Sequence, residues 1–453
     1  MNKRHSLLSN IHLSYFLCLT SFLLITGCES EVKNPNFQKD AANPVFINQS
    51  MMALTQTIKY DLFAPMVAAR ITYYAHVASY EALNAQNPSY KSLQGQLKGL
   101  GTMPKPQAGV EYCYPVAAVK AYLRVGKKLI FSEDSISQFE KQILSDFKKM
   151  GVPRDVLERS IAFGDTIGGT IIKWSSTDNY AQTRSASKYT VTPNNPTRWR
   201  PTSPDYADAL EPHWREIRTA VMDSAAQFKP IPAPKFDTIK SSYFYKIALE
   251  TYKTVQDSTP DKIATAWYWD DNPVATFNAG HVNISRKKIQ PGGHWLWITM
   301  YASQQKNLDI FQINEAYTLV AIGLMDANIS CWEEKYRSNV IRPESYITKY
   351  ISPDWLPILV TPPFPEYTSG HSCVSGASST ILTNIFGENY HFTDSTEAQF
   401  GLGTRSFNSF NEAAREAAIS RLYGGIHYRP ACEVGLVQGE RVGKNVLEKI
   451  KTR

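Results

Sequence analysis

The chain has 453 residues, a formal charge of +7, 43% hydrophobic residues and 20% charged residues. This composition excludes a disordered chain, collagen, a coiled coil and a polytopic membrane protein. The positive excess is spread thinly, with no Lys/Arg stripe, and argues against nucleic acid as a partner.

The N-terminus reads as a targeting segment. Lys3 and Arg4 precede an apolar run at residues 15–25, too short for a comfortable membrane span. The run ends in Ile25-Thr26-Gly27-Cys28, which resembles a bacterial lipobox. Residues 1–27 are therefore expected to be removed as a signal peptide, with Cys28 lipidated. An ordinary signal peptide or an uncleaved anchor is the plainer alternative. Residues 28–44, polar and containing Pro35, read as a tether to the membrane. The expected location is the bacterial cell envelope, periplasmic or surface-exposed. Cys113, Cys331, Cys373 and Cys432 remain, without C-x-x-C spacing. They read as buried thiols, with room for one disulfide in an oxidising envelope. Cys331, Cys373 and Cys432 each lie beside one of three motifs in the last third of the chain.

Helical periodicity dominates the rest of the chain. Val67, Ile71, Tyr74, Ala78 and Ala82 recur at three- and four-residue steps, and His76 within this helix reads as structural. Ser135 and Gln138 form a candidate capping box. Phe139, Ile143, Phe147 and Met150 then share a face, and Gly151 stops the helix. Residues 155–174, 241–256 and 313–327 also read as helices. Residues 175–234 are rich in Pro, Ser, Thr and Asn and read as an irregular excursion, with Trp199 and Trp214 plugging onto the helices. Asp270 and Asp271 follow Trp267-Tyr268-Trp269 and suit a helix-end cap or a pocket wall. His281 and His294 flank Arg286-Lys287-Lys288; exposed or satisfied histidines are the plain reading, a pocket entrance the sharper one. Near the C-terminus, Val442, Val446 and Ile450 form one stripe. Gly435, Gly439 and Gly443 form a second, where another helix would approach closely. The expected architecture is one all-α domain over residues 45–453, a large helical bundle with long irregular loops.

Three short boxes in the last third carry chemistry. The first runs from Lys335 to Pro343 and places Lys335 and Arg342 seven residues apart, on one face if the helix continues to Pro343. The second is Phe364-Pro365-Glu366-Tyr367-Thr368-Ser369-Gly370-His371, entering a helix through Ile381, Leu382, Ile385 and Phe386 that Gly387 ends. A helix N-terminus offers free N–H groups to an anion. Gly370 allows close approach, Ser369 offers a hydroxyl, and His371 stands ready to move a proton. The third is Ser420-Arg421-Leu422-Tyr423-Gly424-Gly425-Ile426-His427. Arg421 can fork onto an oxyanion, and His427 offers a ring nitrogen to a metal or to phosphorus. Each box alone is weak, and a solvated basic face or a core histidine explains any one of them.

Together and in this order the boxes resemble the superfamily of type 2 phosphatidic acid phosphatases and vanadium-dependent haloperoxidases. Its pattern is Lys-x6-Arg-Pro, then Pro-Ser-Gly-His, then Ser-Arg-x5-His-x3-Asp. The first box matches fully. The second has Thr368 in place of Pro. The third has Ala431 where the family has the Asp that orients its histidine. The resemblance extends more loosely over most of the chain and implies a helical bundle of the haloperoxidase and acid phosphatase type. It implies that Lys335, Arg342, Ser369, Gly370 and Arg421 hold vanadate or phosphate. His427 would be the vanadium ligand, and His371 the acid/base. Trp332 and Phe364 look like the aromatic pair on the halide side. With Asp missing, Glu433 is the nearest carboxylate to orient His427, given an irregular segment at residues 428–431; a main-chain carbonyl is the alternative.

The expected activity is oxidation of halide by hydrogen peroxide, with vanadate as cofactor. The first alternative is cofactor-free hydrolysis of a phosphate ester through a phosphohistidine at His427. The second is a non-catalytic glycan-binding envelope lipoprotein, which explains the lipobox and the aromatic residues but not three cationic boxes in register.

Overall fold

The computed structural model describes residues 34–453, apart from 86, 193, 273–275, 280–281 and 286–287, and gives the backbone alone for 276–279 and 282–285. The targeting segment, with Cys28, and the residues His281, Arg286 and Lys287 lie outside the described residues.

Helices come first in chain order: α1 (Phe37–Ala41), α2 (Val45–Tyr60), α3 (Pro65–Leu83), α4 (Tyr114–Leu129), α5 (Glu133–Lys149), α6 (Arg154–Ser175) and α7 (Tyr180–Ser185). After the excursion come α8 (Tyr243–Gln256) and α9 (Pro260–Tyr268), the antiparallel hairpin of β1 (Thr276–Ala279) and β2 (Val282–Ser285), α10 (Pro291–Gln305) and α11 (Ile310–Ser338). The last part holds α12 (Pro343–Tyr350), α13 (Gly370–Phe386), the paired strands β3 (Phe392–Asp394) and β4 (Arg405–Phe407), α14 (Phe410–Tyr423) and α15 (Arg429–Lys449). No helix among the described residues is long and apolar enough to cross a membrane.

Two groups of helices share α11. α3, α4 and α6 pack together on one side; α13, α14 and α15 pack together on the other, and α11 touches α3, α13 and α15. One apolar core runs from Phe37 to Ile450. α11 can serve both groups because it is buried almost all round, from Ile310 to Lys335. Its start is fixed by a capping box in which the Asp309 carboxylate accepts the Phe311 and Gln312 N–H groups.

Several expectations need adjusting. The tether expected through residue 44 ends earlier, because Phe37 and Ala41 of α1 are buried in the core. α5 begins two residues before the anticipated Ser135 cap, with Ser132 as N-cap residue and no side-chain cap bond; the Ser132 hydroxyl goes to Asp61 instead. Lys335 and Arg342 do not share a helical face. α11 ends at Ser338, Asn339 turns left-handed at φ 52°, and Arg342 precedes α12, whose first residue is Pro343. Pro343 therefore starts a helix, where its missing N–H costs nothing. The four remaining cysteines are free and buried. Thr368 Oγ1 lies 3.7 Å from Cys331 Sγ and 3.5 Å from Cys373 Sγ, whereas Cys432 packs apart with Ala418 and Leu422.

Apart from α7 and a short 3₁₀ turn at Trp214–Glu216, the excursion is irregular, as expected, and tightly held. The buried Asp326 of α11 accepts the main-chain N–H groups of Ala220, Val221 and Met222 at 2.6, 2.9 and 3.0 Å. Trp199 and Trp214 are buried as plugs.

The small-residue stripe of α15 meets α13 backbone to backbone. A Cβ on Gly439 would lie 2.0 Å from the Cys373 carbonyl oxygen. Gly439→Ala therefore forces α15 off the helix that carries Ser369 and His371, and should cost about 1–3 kcal/mol or more. Gly169 lies inside α6, where a Cβ meets only ordinary contacts of 3.5 Å and beyond. Gly169→Ala should be neutral or stabilise by up to about 1 kcal/mol through helix propensity. Urea unfolding of the two variants reads the opposite signs.

Candidate active site

A cavity of about 380 Å³ opens between the two helical groups. Its inner wall carries Gly370, His371, Arg421 and His427, and its apolar wall includes Trp332 and Phe364. Residues from the excursion, Thr202 to Leu210, form part of the rim, a contribution the sequence did not announce. Leu210 is held there by its N–H to the Pro363 carbonyl at 2.9 Å, and its own carbonyl accepts Trp332 Nε1 and Tyr336 Oη.

Local structure explains how each group arrives. Ser369 is the N-cap of α13, its hydroxyl accepting the Ser372 N–H at 3.3 Å. That places Gly370 and His371 in the first turn, where N–H groups have no helical partner. Thr368, in the position where the family has Pro, donates its hydroxyl to Gln438 of α15 at 2.6 Å. Arg421 is in the last turn of α14. Gly425 then turns the chain at φ +77°, which suits glycine, and leads into Ile426 and His427.

The three cations are buried and satisfied mostly by carbonyls. Lys335 Nζ donates to the Pro365 and Glu366 carbonyls at 3.0 and 3.1 Å. Arg342 donates Nε to the Phe364 carbonyl and Nη1 to that of Ile426, both at 2.8 Å. Arg421 Nη1 reaches the Trp269 carbonyl at 2.5 Å, and Nη2 lies 3.5 Å from Asp270. Arg342 Nη2 and Arg421 Nε are buried without a partner, as is His371 Nε2. Unpaired donors on converging cations are what a tetrahedral oxyanion would satisfy, so this residue set fits vanadate or phosphate. Lys335 and Arg342 sit behind the wall. Lys335 Nζ is 4.9 Å from the Phe364 ring centre, and Arg342 Nη1 is 3.2 Å from His427 Nε2.

Both histidines are kept neutral. Burial and the charge of Arg421 hold His371 well below the ordinary range, against a main-chain bond with Trp269. Burial, Arg342, Lys335 and Arg421 do the same to His427. The orienting partner of His427 is a correction to the sequence reading. Its Nδ1 is 2.9 Å from Glu366 Oε1, which also accepts the Tyr428 N–H at 2.9 Å. With Nδ1–H given to that carboxylate, Nε2 carries the lone pair toward the cationic side. Glu433 plays no such part. α15 is already helical from Arg429, so the irregular segment does not form, and Glu433 projects outward, 64% exposed, 3.6 Å from Arg429. A usable signal was present in the second box: a carboxylate between two anion-binding motifs calls for a partner, and Glu366 stands there.

Two groups from elsewhere complete the wall. Asp270 and Asp271 line the cavity and so form a pocket wall. Asp271 Oδ2 lies 3.7 Å from His371 Nε2, and its Oδ1 is 2.9 Å from Nδ1 of the buried His294.

Two outcomes are expected of anion binding. Glu366→Gln should weaken orthovanadate binding about 10–100-fold by loosening His427, while Glu433→Gln leaves it unchanged; titration calorimetry of both variants decides. Burial and Arg342 bring the Lys335 ammonium from 10.5 down to about 8. A lowered lysine is charged below that value and neutral above it, so its help to oxyanion binding is present at pH 7 and lost by pH 9. The affinity ratio of the natural protein to Lys335→Met should therefore shrink across that range, a comparison in which the ligand's own protonation cancels.

Comparison with known proteins agrees with this geometry. Residues 315–453 match the family model of the VCPO second helical-bundle domain. No protein of curated function matches the chain in sequence. A solved structure described as the first bacterial vanadium-dependent iodoperoxidase is 44% identical, with a TM-score of 0.86, covering 91% of this chain and 97% of that one. A bacterial vanadium-dependent chloroperoxidase in its holo form superimposes with a TM-score of 0.66 at 16% identity, over 86% of this chain and 93% of that one, and so shares the fold. Identity at that level over nearly the whole length, on a cavity lined by the second and third boxes with the first behind its wall, shows that the chain belongs to the vanadium-dependent haloperoxidase family.

Proposed function

We propose that the protein is a vanadate-dependent haloperoxidase that oxidises iodide with hydrogen peroxide. The observation that carries this is the 44% identity to a bacterial vanadium iodoperoxidase, together with a cavity whose buried cations have donors to spare. Bound vanadate supplies the Lewis-acid centre at which hydrogen peroxide becomes an electrophilic oxidant of halide, without a change in the metal's oxidation state.

The chain's own residues do the rest. Arg342, Arg421 and Lys335 would hold the oxyanion and neutralise its charge, aided by the Gly370 N–H and the Ser369 hydroxyl. Because the three cationic side chains are already anchored to carbonyls through their other donors, little reorganisation is needed during the reaction. His427 offers Nε2 as the ligand atom, with Glu366 holding its Nδ1–H. His371, neutral and with Nε2 unpaired, takes the proton that hydrogen peroxide loses. Trp332 and Phe364, with ring centres 5.0 Å apart, give the halide a dry, polarisable approach. We further propose one helical domain that takes in α1, over residues 37–453 rather than 45–453, and, on sequence grounds, lipid anchoring through Cys28 to a bacterial envelope, with the cavity on the periplasmic or outer side.

The test is iodide oxidation with peroxide, with and without added vanadate. Activity should require vanadate and should be suppressed by excess phosphate when vanadate is limiting, because both anions meet the same donors. His427→Ala should lose stable vanadate binding. His371→Ala should keep it and slow turnover by about 10²–10⁴-fold, the usual effect of a lost acid/base group. Vanadate-independent turnover, or turnover indifferent to excess phosphate, would count against the assignment.

A further inference from the structure

His294 stands in the first turn of α10, fully buried. Both of its ring nitrogens face carboxylates: Nδ1 is 2.9 Å from Asp271 Oδ1, and Nε2 is 2.7 Å from Asp394 Oδ2. A neutral imidazole has one N–H and one lone pair, and a lone pair is repelled by a carboxylate oxygen at such a distance. The ring therefore carries two hydrogens and a positive charge. Asp394 is itself fixed: Tyr268 Oη donates to its Oδ2 at 2.7 Å, and the Thr396 N–H and hydroxyl hold its Oδ1 at 2.9 and 2.6 Å. Trp269 stacks on the imidazole, with ring centres 4.6 Å apart.

Asp271, His294 and Glu397 place ligand atoms within 4.8 Å of one another, close enough to suggest a metal. The chemistry argues otherwise. His294 has no lone pair to give, and Glu397 already has the Lys288 ammonium at 2.9 Å. Two cations, His294 and Lys288, answer three carboxylates, Asp271, Asp394 and Glu397. What it leaves over is a single carboxylate edge, Asp271 Oδ2, turned to His371 Nε2 at 3.7 Å.

We propose that His294 is a permanently charged positioning residue, an imidazolium clamped between Asp271 and Asp394 that fixes the Asp271 carboxylate against His371. An untethered Asp271 would be free to swing toward Arg421 or to pair fully with His371. Held by His294, it aligns the ring while lending it only part of its charge. The imidazolium also adds its own charge to those of Arg421 and Lys335, all opposing protonation of His371 before peroxide arrives. This role rests on the reading of His371 as the proton acceptor. The groups facing His294 are Asp271, Asp394, Tyr268 and the Glu397–Lys288 pair; those facing His371 are Asp271, Arg421, Lys335, His294 and His427.

The test uses the full chain without vanadate, labelled with ¹⁵N-histidine. In the natural protein both ring nitrogens of His294 should read as N–H at every pH from 5.5 to 9, well above the free-imidazole range at the upper end. A neutral tautomer anywhere in that range overturns the proposal, whatever the variants do. The double variant His294→Gln with Asp394→Asn removes one positive and one negative charge, so the buried balance is kept. In it the protonation midpoint of His371 should rise by about one pH unit. The acid limb of iodide oxidation should move with it, a shift that mere loss of packing would not produce. A folded double variant whose His371 midpoint stays in place would refute the positioning role. Absence of halide oxidation in the natural protein would strike the proposed function instead, and the nitrogen spectra would still decide the state of His294.

Discussion

Three cations are buried here with few carboxylates to answer them, and the rest of the site depends on that. Removing a charged group from water costs on the order of several kcal/mol even after relaxation. An opposing carboxylate would offset this cost but would also occupy the place of a substrate anion. The fold answers with carbonyl oxygens. Pro365 and Glu366 hold Lys335, Phe364 and Ile426 hold Arg342, and Trp269 holds Arg421. Carbonyl dipoles ease desolvation without cancelling the charge, so the field at the cavity stays positive. The lowered affinity of Lys335 and Arg342 for their protons, to about 8 and about 10, is the remaining cost of that choice.

Aiming carbonyls requires irregular backbone, and irregular backbone must be held. The segment from Phe364 to Ser369 has no helical ladder of its own. It is pinned by Glu366 N–H to the Val340 carbonyl at 3.0 Å, by Ser369 N–H to the Ala431 carbonyl at 3.0 Å, and by Thr368 to Gln438. The last two bonds reach α15, which approaches closely only because Gly435, Gly439 and Gly443 leave room for the α13 backbone. The same rigidity is imposed on the far rim, where Asp326 gathers three consecutive N–H groups of the excursion. Small residues at the C-terminus and one buried acid in α11 thus serve the cavity without touching it.

The helices were legible because their signals are local. The apolar spacing around α3, the Gly387 stop of α13 and the small-residue stripe of α15 all sit within one or two turns of sequence, and all are found as read. The boxes were legible as chemistry because cations and histidines are rare in apolar surroundings. Their geometry was not. The seven-residue step from Lys335 to Arg342 resembles two helical turns, yet Asn339 in the left-handed region breaks it, and only tertiary contacts select that break. Trp199 N–H bonds to the Asn339 carbonyl at 3.1 Å, a partner 140 residues away. The Asp271–His294–Asp394 chain was invisible for the same reason: its members are separated by 23 and 100 residues.

The exchange of the orienting carboxylate shows what is fixed and what is free in such a site. His427 needs an acceptor at Nδ1, so that Nε2 keeps its lone pair among three cations. The family pattern places an Asp four residues past the histidine, where this chain has Ala431. Ala431 is fully buried, in a cluster with Ile341, Tyr346 and Tyr428, and its carbonyl holds the Ser369 N–H. Glu366 supplies the carboxylate from the opposite side, through the segment whose carbonyls already hold Lys335. One residue thereby serves two partners: its main chain steadies a cation and its side chain steadies the ligand histidine. Burial raises the Glu366 carboxyl to about 7, while Arg342 and the Tyr428 N–H pull it back toward the charged form. The cations that prepare the cavity for an oxyanion therefore also sustain the carboxylate that orients His427, and the two requirements reinforce rather than oppose each other.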